Sequence, residues 1–272
     1  MPTEQKIPIL KKCLPALPIK SACIEILGFL RRVTHASRSL CILGLSGGVD
    51  SAVAAYLLNR ALRKDKIRAI IMPYHKSDKK SMEDALLIVE DLGIDYDIID
   101  ISPCIDSYYK QFPDAGHYRR GNKMARERMS VLYDMAALHG GLVVGTGNKS
   151  ELLLGYFTKY GDGGVDLEPL GGLYKTYVYE MAAYLGVPES IIEKHPTADL
   201  WPGQRDEDDL GIGYEEADNI LYCMEDLGES IDDIKNRGFN EDSIEKIANL
   251  VRYSKHKRMM PPIPDMHKLY FH

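Results

Sequence analysis

The stretch Leu40 to Ser51, LCILGLSGGVDS, constrains this chain more than any other. Its first six residues carry no charge, as a strand buried on both faces of a sheet requires. The strand runs straight into Gly47-Gly48, and a helix-forming stretch, roughly Val49 to Arg63, follows. Glycines tolerate positive φ and let a ligand approach the backbone closely. Successive N–H groups in such a turn form an anion-binding nest at a helix N-terminus. Ser46 and Ser51 add hydroxyl donors. Asp50 puts a carboxylate beside the anion, which makes sense if it holds a metal ion bridging to phosphates. The spacing is neither G-x-x-x-x-G-K-[ST] nor G-x-G-x-x-G.

The rest of the chain repeats the same alternation. Ile19 to Arg32 reads as an amphipathic helix. Ile67 to Met72 is a second buried strand closed by Pro73, and Lys79 to Leu92 is a helix stopped by Gly93. Ile94 to Ile101 is a third strand, Lys123 to Leu138 a helix, Leu142 to Val144 a fourth strand, and Ser150 to Gly155 opens another helix. This order predicts an α/β fold: a doubly wound parallel sheet of about five strands with helices on both faces. Ligands of such sheets bind outside the carboxyl ends of the strands. Chemistry is therefore expected after Leu45, Met72 and Val144.

Past Tyr156 the pattern changes. Tyr160 to Gly172 is glycine-rich and reads as loop, and Tyr177 to Leu185 as a helix. LWPGQRDEDD, Leu200 to Asp209, reads as a mobile loop. Glu215 to Leu227, Ile231 to Arg237 and Ser243 to Ser254 read as surface helices, and the proline-containing Met259 to Asp265 as irregular. No flexible linker interrupts the chain. We expect one domain over residues 1–272, with an N-terminal lead (1–18) and a helical C-terminal extension (214–272).

Composition narrows the functional classes. With 34 Lys+Arg against 40 Asp+Glu, the net charge of −6 argues against a general nucleic-acid coat. The longest clear apolar run, Ala52 to Leu58, is far too short to cross a bilayer, and the lysine-bearing N-terminus lacks a secretory core. Cys13, Cys23, Cys41, Cys104 and Cys223 are scattered and form no C-x-x-C pair, which fits a reducing, cytoplasmic compartment.

The loop Gly44-Leu45-Ser46-Gly47-Gly48-Val49-Asp50-Ser51 resembles the S-G-G-x-D-S pyrophosphate-binding loop of the ATP-pyrophosphatase superfamily. Further segments sharpen the resemblance: GTGNKSE (Gly145–Glu151), YFTKYGDGGVD (Tyr156–Asp166), PLGGLYKT (Pro169–Thr176), PTADL (Pro196–Leu200) and His256-Lys257-Arg258. Together they are similar to the ammonia-dependent NAD synthetase family, from about Ile19 to Pro264. The resemblance implies a ligase that adenylates deamido-NAD with ATP, releases pyrophosphate, and lets ammonia displace AMP. It implies Mg²⁺, with ATP as co-substrate, and a homodimer. It also implies roles: the whole Gly44–Ser51 loop, Thr146, Lys175 and Thr197 near ATP; Arg126, Lys159, Asp166, His256 and Lys257 near deamido-NAD.

The residue types fit these demands in their own right. Two anionic nucleotides meeting in one site need cations. Asp50 and Glu151, at neighbouring strand ends, suit magnesium. Lys175 is placed to neutralise a transferring phosphate. Asp162, in a glycine-flanked loop, suits ammonium binding or proton acceptance. Tyr74 to Lys80 and Leu200 to Asp209 are similar to mobile covers that order on substrate binding in this family. Only some 45 residues precede the phosphate loop, whereas glutamine-dependent relatives carry an amidase domain there; free ammonia, or ammonia from a separate protein, is the expected nitrogen donor.

Overall fold

The computed structural model describes residues 13–37, 39–75, 77–197, 200–201 and 203–266. Most of the N-terminal lead, Lys76, Ala198-Asp199 and Pro202 lie outside these residues. The elements in chain order are α1 (Ile19–Ser37), β1 (Leu40–Gly44), α2 (Val49–Ala61), β2 (Ile67–Ile71), α3 (Lys79–Leu92), β3 (Asp95–Ile98), α4 (Ser102–Tyr109), α5 (His117–His139), β4 (Gly141–Val144), α6 (Lys149–Leu154), α7 (Lys175–Leu185), α8 (Glu189–Ile192), α9 (Asp206–Leu210), α10 (Tyr214–Leu221), α11 (Ile231–Asn236) and α12 (Glu241–Ser254).

The sheet is parallel throughout, in the order β3-β2-β1-β4. It has four strands rather than about five. Where a fifth would pair with β4, only an isolated parallel bridge forms, Val144 to Leu167, because the glycine-rich loop touches the sheet and turns away. β3 is the edge strand, and its shortness and largely exposed side chains follow from that position.

Period-two alternation divides the strands between two cores. Cys41 and Leu43 of β1 and Ile67, Ala69 and Ile71 of β2 point into a core shared with α1, α2, α3, α7 and α10. Ile42, Ile70 and Val143 point the other way, on to α4 and α5. The doubly wound arrangement follows directly from these opposing apolar faces. α2 is apolar on all sides; Val49 and every residue from Ser51 to Leu58 are buried. Its amino end, at the glycine loop, is therefore rigidly placed at the carboxyl edge of the sheet.

One expectation needs correction. The Glu215 to Leu227 segment is not a surface helix. Tyr214, Ala217, Ile220 and Leu221 of α10 are buried in the larger core, and a π-helical turn, Tyr222–Asp226, continues it. Within α10, Asp218 is fully buried. It accepts hydrogen bonds from Ser150 Oγ at 2.5 Å, the Thr176 N–H at 2.8 Å and Thr176 Oγ1 at 2.7 Å. One carboxylate thus ties the first turns of α6 and α7 together, where negative charge is favoured by the helix dipoles. The C-terminal helices are part of the frame of the site.

Gly47 shows how tightly the loop is built. Its φ is +81°, and a Cβ there would lie 2.1 Å from the Ser81 carbonyl oxygen. Gly47→Ala combines left-handed strain with a backbone clash and should destabilise the protein by about 3 kcal/mol. Urea unfolding checks this; a wild-type midpoint would mean that the loop and α3 are not packed as described.

Candidate active site

A cleft of about 660 Å³ opens along the carboxyl edge of the sheet, within the usual range for small-molecule sites. Its walls include Ser46, Gly48, Asp50 and Ser51 from the glycine loop, Thr146 and Glu151 after β4, and Lys175 at the start of α7. They also include Asp162, Lys194, Thr197, Trp201 and Lys257. All three strand ends singled out by the sequence contribute.

In the loop, Ser51 Oγ donates to the Gly48 carbonyl at 2.9 Å, and the two serine hydroxyls lie 3.1 Å apart. The Ser46 N–H reaches Ser51 Oγ at 3.3 Å. The side chains thus brace the turn from inside, and α2 begins at Val49 with no side-chain cap. Uncapped first-turn N–H groups are the donors an anion can use.

At the centre lies a buried charge cluster. The Lys175 side chain is 2% exposed. Its ammonium donates to Asp50 Oδ2 at 2.5 Å and lies 3.4 Å from Glu151 Oε1. The Tyr214 ring sits 5.3 Å from the same nitrogen. Burial alone would lower the Lys175 pKa, but Asp50 and Glu151 more than reverse this and hold it above the ordinary lysine value. Burial, then the neighbouring Asp50, push the Glu151 carboxyl up to about 8, against the pull of Lys175.

Asn148 holds this cluster and was not picked out as a functional residue from the sequence. It is fully buried; its Nδ2 donates to Asp50 Oδ1 at 2.9 Å, and its Oδ1 accepts from the Glu151 N–H at 3.0 Å. Its own N–H donates to Glu151 Oε2 at 3.2 Å, completing a capping box on α6. The Asn-x-x-Glu spacing was the available signal. One side chain therefore orients both acidic groups.

The donor set suits magnesium. Among the described residues no group of three or more His, Cys, Asp or Glu converges on one point, so no all-protein metal cage exists there. Two carboxylates facing a phosphate nest match an ion that completes its octahedron with phosphate oxygens and water.

Asp162 faces the same cleft. Its carboxylate opens on to the cavity but sits deep between the walls, and that apolar surrounding raises its pKa. The Thr158 N–H donates to it at 2.9 Å and opposes the shift. Arg128, whose Nε donates to the Met72 carbonyl at 3.1 Å, lines the same wall. Lys257 donates to the Gly155 and Phe157 carbonyls, both at 2.7 Å, and its pKa is lowered by burial.

Apart from Lys257, the second group of expected residues does not line the cleft. Arg126 is exposed on α5, its Nε donating to the Lys159 carbonyl at 3.2 Å, while Lys159 Nζ donates to the His256 carbonyl at 2.6 Å. These three form a chain of contacts at the surface that carries the charges of Arg126 and Lys159. Asp166 lies apart from them, taking the Val143 N–H at 2.7 Å and the Tyr133 hydroxyl at 3.2 Å.

Both expected covers border the cleft. Tyr74 donates to Asp106 at 2.8 Å, and the His75 N–H to Ser102 Oγ at 2.9 Å. Leu200 lies against Gly121, where a Cβ would come within 3.0 Å of it. Trp201 packs on His117 and Tyr118, with ring centres 5.2 and 5.1 Å away. The segment read as loop then forms α9, Asp206–Leu210, whose Asp206 and Asp209 accept the Tyr156 hydroxyl at 3.1 and 2.9 Å.

The NAD synthase family model matches residues 23–261, which contain every element of this site. The chain belongs to the NAD synthase family. The NH(3)-dependent NAD(+) synthetase of Fusobacterium nucleatum is 45% identical over 248 residues, covering 91% of this chain and 96% of its own. An NMN synthetase structure from Francisella tularensis superposes with a TM-score of 0.82 at 34% identity, covering 92% of this chain and all of that one. The NH3-dependent NAD synthetase of Campylobacter jejuni, solved with nitrate, gives 0.79 at 35% with the same coverage.

Lys175→Met would leave Asp50 and Glu151 facing one another without a cation. The ligand-free protein should lose about 3–5 kcal/mol. Adding Glu151→Gln should restore part of that loss in urea unfolding. An unchanged midpoint for the single variant would show that these charges are not coupled.

Proposed function

We propose that this chain amidates deamido-NAD with ammonia at the expense of ATP, giving NAD, AMP and pyrophosphate, as a cytoplasmic homodimer. The observation that carries the proposal is the convergence of the Ser46–Ser51 nest, the Asp50–Lys175–Glu151 cluster and Asp162 on one cleft.

The nest and the free N–H groups of α2 bind the ATP phosphates. Asp50 and Glu151, oriented by Asn148, would hold magnesium, which would offset the charge of the phosphates. Lys175 donates to the α-phosphate, with Thr146 and Thr197 beside the nucleotide. The nicotinate carboxylate attacks the α-phosphorus and the bond to pyrophosphate breaks. Asp162, kept basic by its raised pKa, takes a proton from ammonium. Ammonia then attacks the acyl carbonyl, and AMP departs with the C–O bonding pair. Lys257 lies on the cleft side of the deamido-NAD site; Arg126, Lys159 and His256 extend that site across the surface, where a second protomer completes it, and Asp166 lies on its far side. Closure of Leu200 to Asp209 excludes water from the adenylate.

The decisive assay supplies ATP, magnesium and ammonium with either deamido-NAD or nicotinic acid mononucleotide. NAD, AMP and pyrophosphate in equal amounts are expected from the dinucleotide. Product from the mononucleotide alone would transfer the reading to the chemistry named for the Francisella relative. Asp162→Asn should lower the rate of amide formation about 10²–10⁴-fold. A wild-type rate would remove Asp162 from the mechanism.

The raised Glu151 pKa gives a further test. Below about 8 its carboxyl is protonated, and a metal ion must displace that proton. Magnesium affinity, measured calorimetrically, should therefore fall as pH drops from 8 to 6, by up to about tenfold per unit. A pH-independent affinity would exclude Glu151 as a ligand.

A further inference from the structure

Lys194 is a cation in the cleft wall that the reaction above does not use. It lies just after α8 and three residues before Thr197. Its Nζ donates to Ser81 Oγ at 3.1 Å and to Asp84 Oδ2 at 3.0 Å. The pair is well enclosed, with the lysine side chain 17% and the aspartate 7% exposed.

The partners place that charge. Ser81 and Asp84 lie on α3, on the stretch against which Gly47 packs. A Cβ on Gly47 would lie 2.1 Å from the Ser81 carbonyl oxygen and 3.1 Å from Asp84 Cβ. Ser46, Gly48, Lys79, Ser81 and Lys194 all line the same cavity. The ammonium therefore sits beside the nest, where α3 packs against it.

An enclosed aspartate beside a polyanion site repels the ligand unless it is paired, so a purely structural Lys194–Asp84 bridge adds little that an apolar pair would not. A lysine is a mobile point charge on a flexible stem. Here the stem belongs to the irregular segment that leads from α8 to Thr197 in the cleft wall. We infer that Lys194 is a pyrophosphate-binding residue. It moves from Asp84 on to the outer phosphates of the nucleotide, then holds the pyrophosphate that leaves, while Asp84 keeps it beside the nest between turnovers. The inference rests on the reading of the cleft as a nucleotide site.

The test uses inorganic pyrophosphate with magnesium, titrated calorimetrically into the full chain, and pyrophosphate product inhibition in the assay above. A charge-assisted hydrogen bond lost to a bound phosphate corresponds to about a 10- to 100-fold loss. Lys194→Met should weaken pyrophosphate binding by that factor, and Lys194→Arg should keep most of it. Asp84→Asn, which frees the lysine, should tighten binding several-fold. The double variant D84N/K194M, which leaves no enclosed charge unpaired, should bind as weakly as K194M, with melting temperature reporting its fold. Wild-type pyrophosphate affinity in both K194M and D84N/K194M would overturn the inference and leave the function intact. A wild-type chain that binds neither ATP nor pyrophosphate would overturn both.

Discussion

The ammonium of Lys175, held between Asp50 and Glu151, is the interaction on which the site depends. Two carboxylates this deep in a protein cannot both ionise without a cation, because desolvation and mutual repulsion act in the same direction. The lysine supplies that cation to Asp50, while Glu151 keeps its proton up to about pH 8. The same ammonium lies in the wall of the cleft, so one side chain both stabilises the buried carboxylates and presents positive charge to the cavity.

Around that cluster the fold supplies fixed positions rather than further chemistry. The two opposing cores clamp the sheet, α2 is immobilised by burial on all sides, and Asn148 and Asp218 register α6 and α7 against it. Asp218 comes from a helix, 68 residues beyond Ser150 in the chain. Its burial costs energy, visible in its raised pKa, and three hydrogen bonds from Ser150 and Thr176 compensate. The acidic C-terminal third of the chain is thus an anchor for the catalytic centre as well as a soluble exterior.

Much of this was legible in the sequence because local rules and tertiary structure agree. Strand β1, the nest and α2 follow from an uncharged run, two glycines and an apolar helix. Asp50, Glu151, Lys175 and Asp162 could be singled out because they are charged residues at strand ends or in glycine-flanked loops. The missing strand was not legible: a single bridge at Leu167 leaves no periodicity to read. α10 was misplaced because Glu215, Glu216 and Asp218 suggest a solvated face, whereas Asp218 is buried by partners distant in sequence. Asn148 escaped notice because an uncharged amide announces its role only through what it touches. The separation of Asp166 from Arg126, Lys159 and His256 likewise depends on how loops fold back on α5.

The all-round burial of α2 has an evolutionary consequence. From Val49 to Leu58 the helix has almost no position where substitution is neutral, and its first turn follows directly on the glycine loop. Room for substitution is expected instead on the opposite bank of the cleft, where Tyr118 meets solvent, and on the neighbouring surface of Arg126, Lys159 and His256. The buried side of the cleft is thereby held fixed by packing, and its solvent-facing side is the part left free to change.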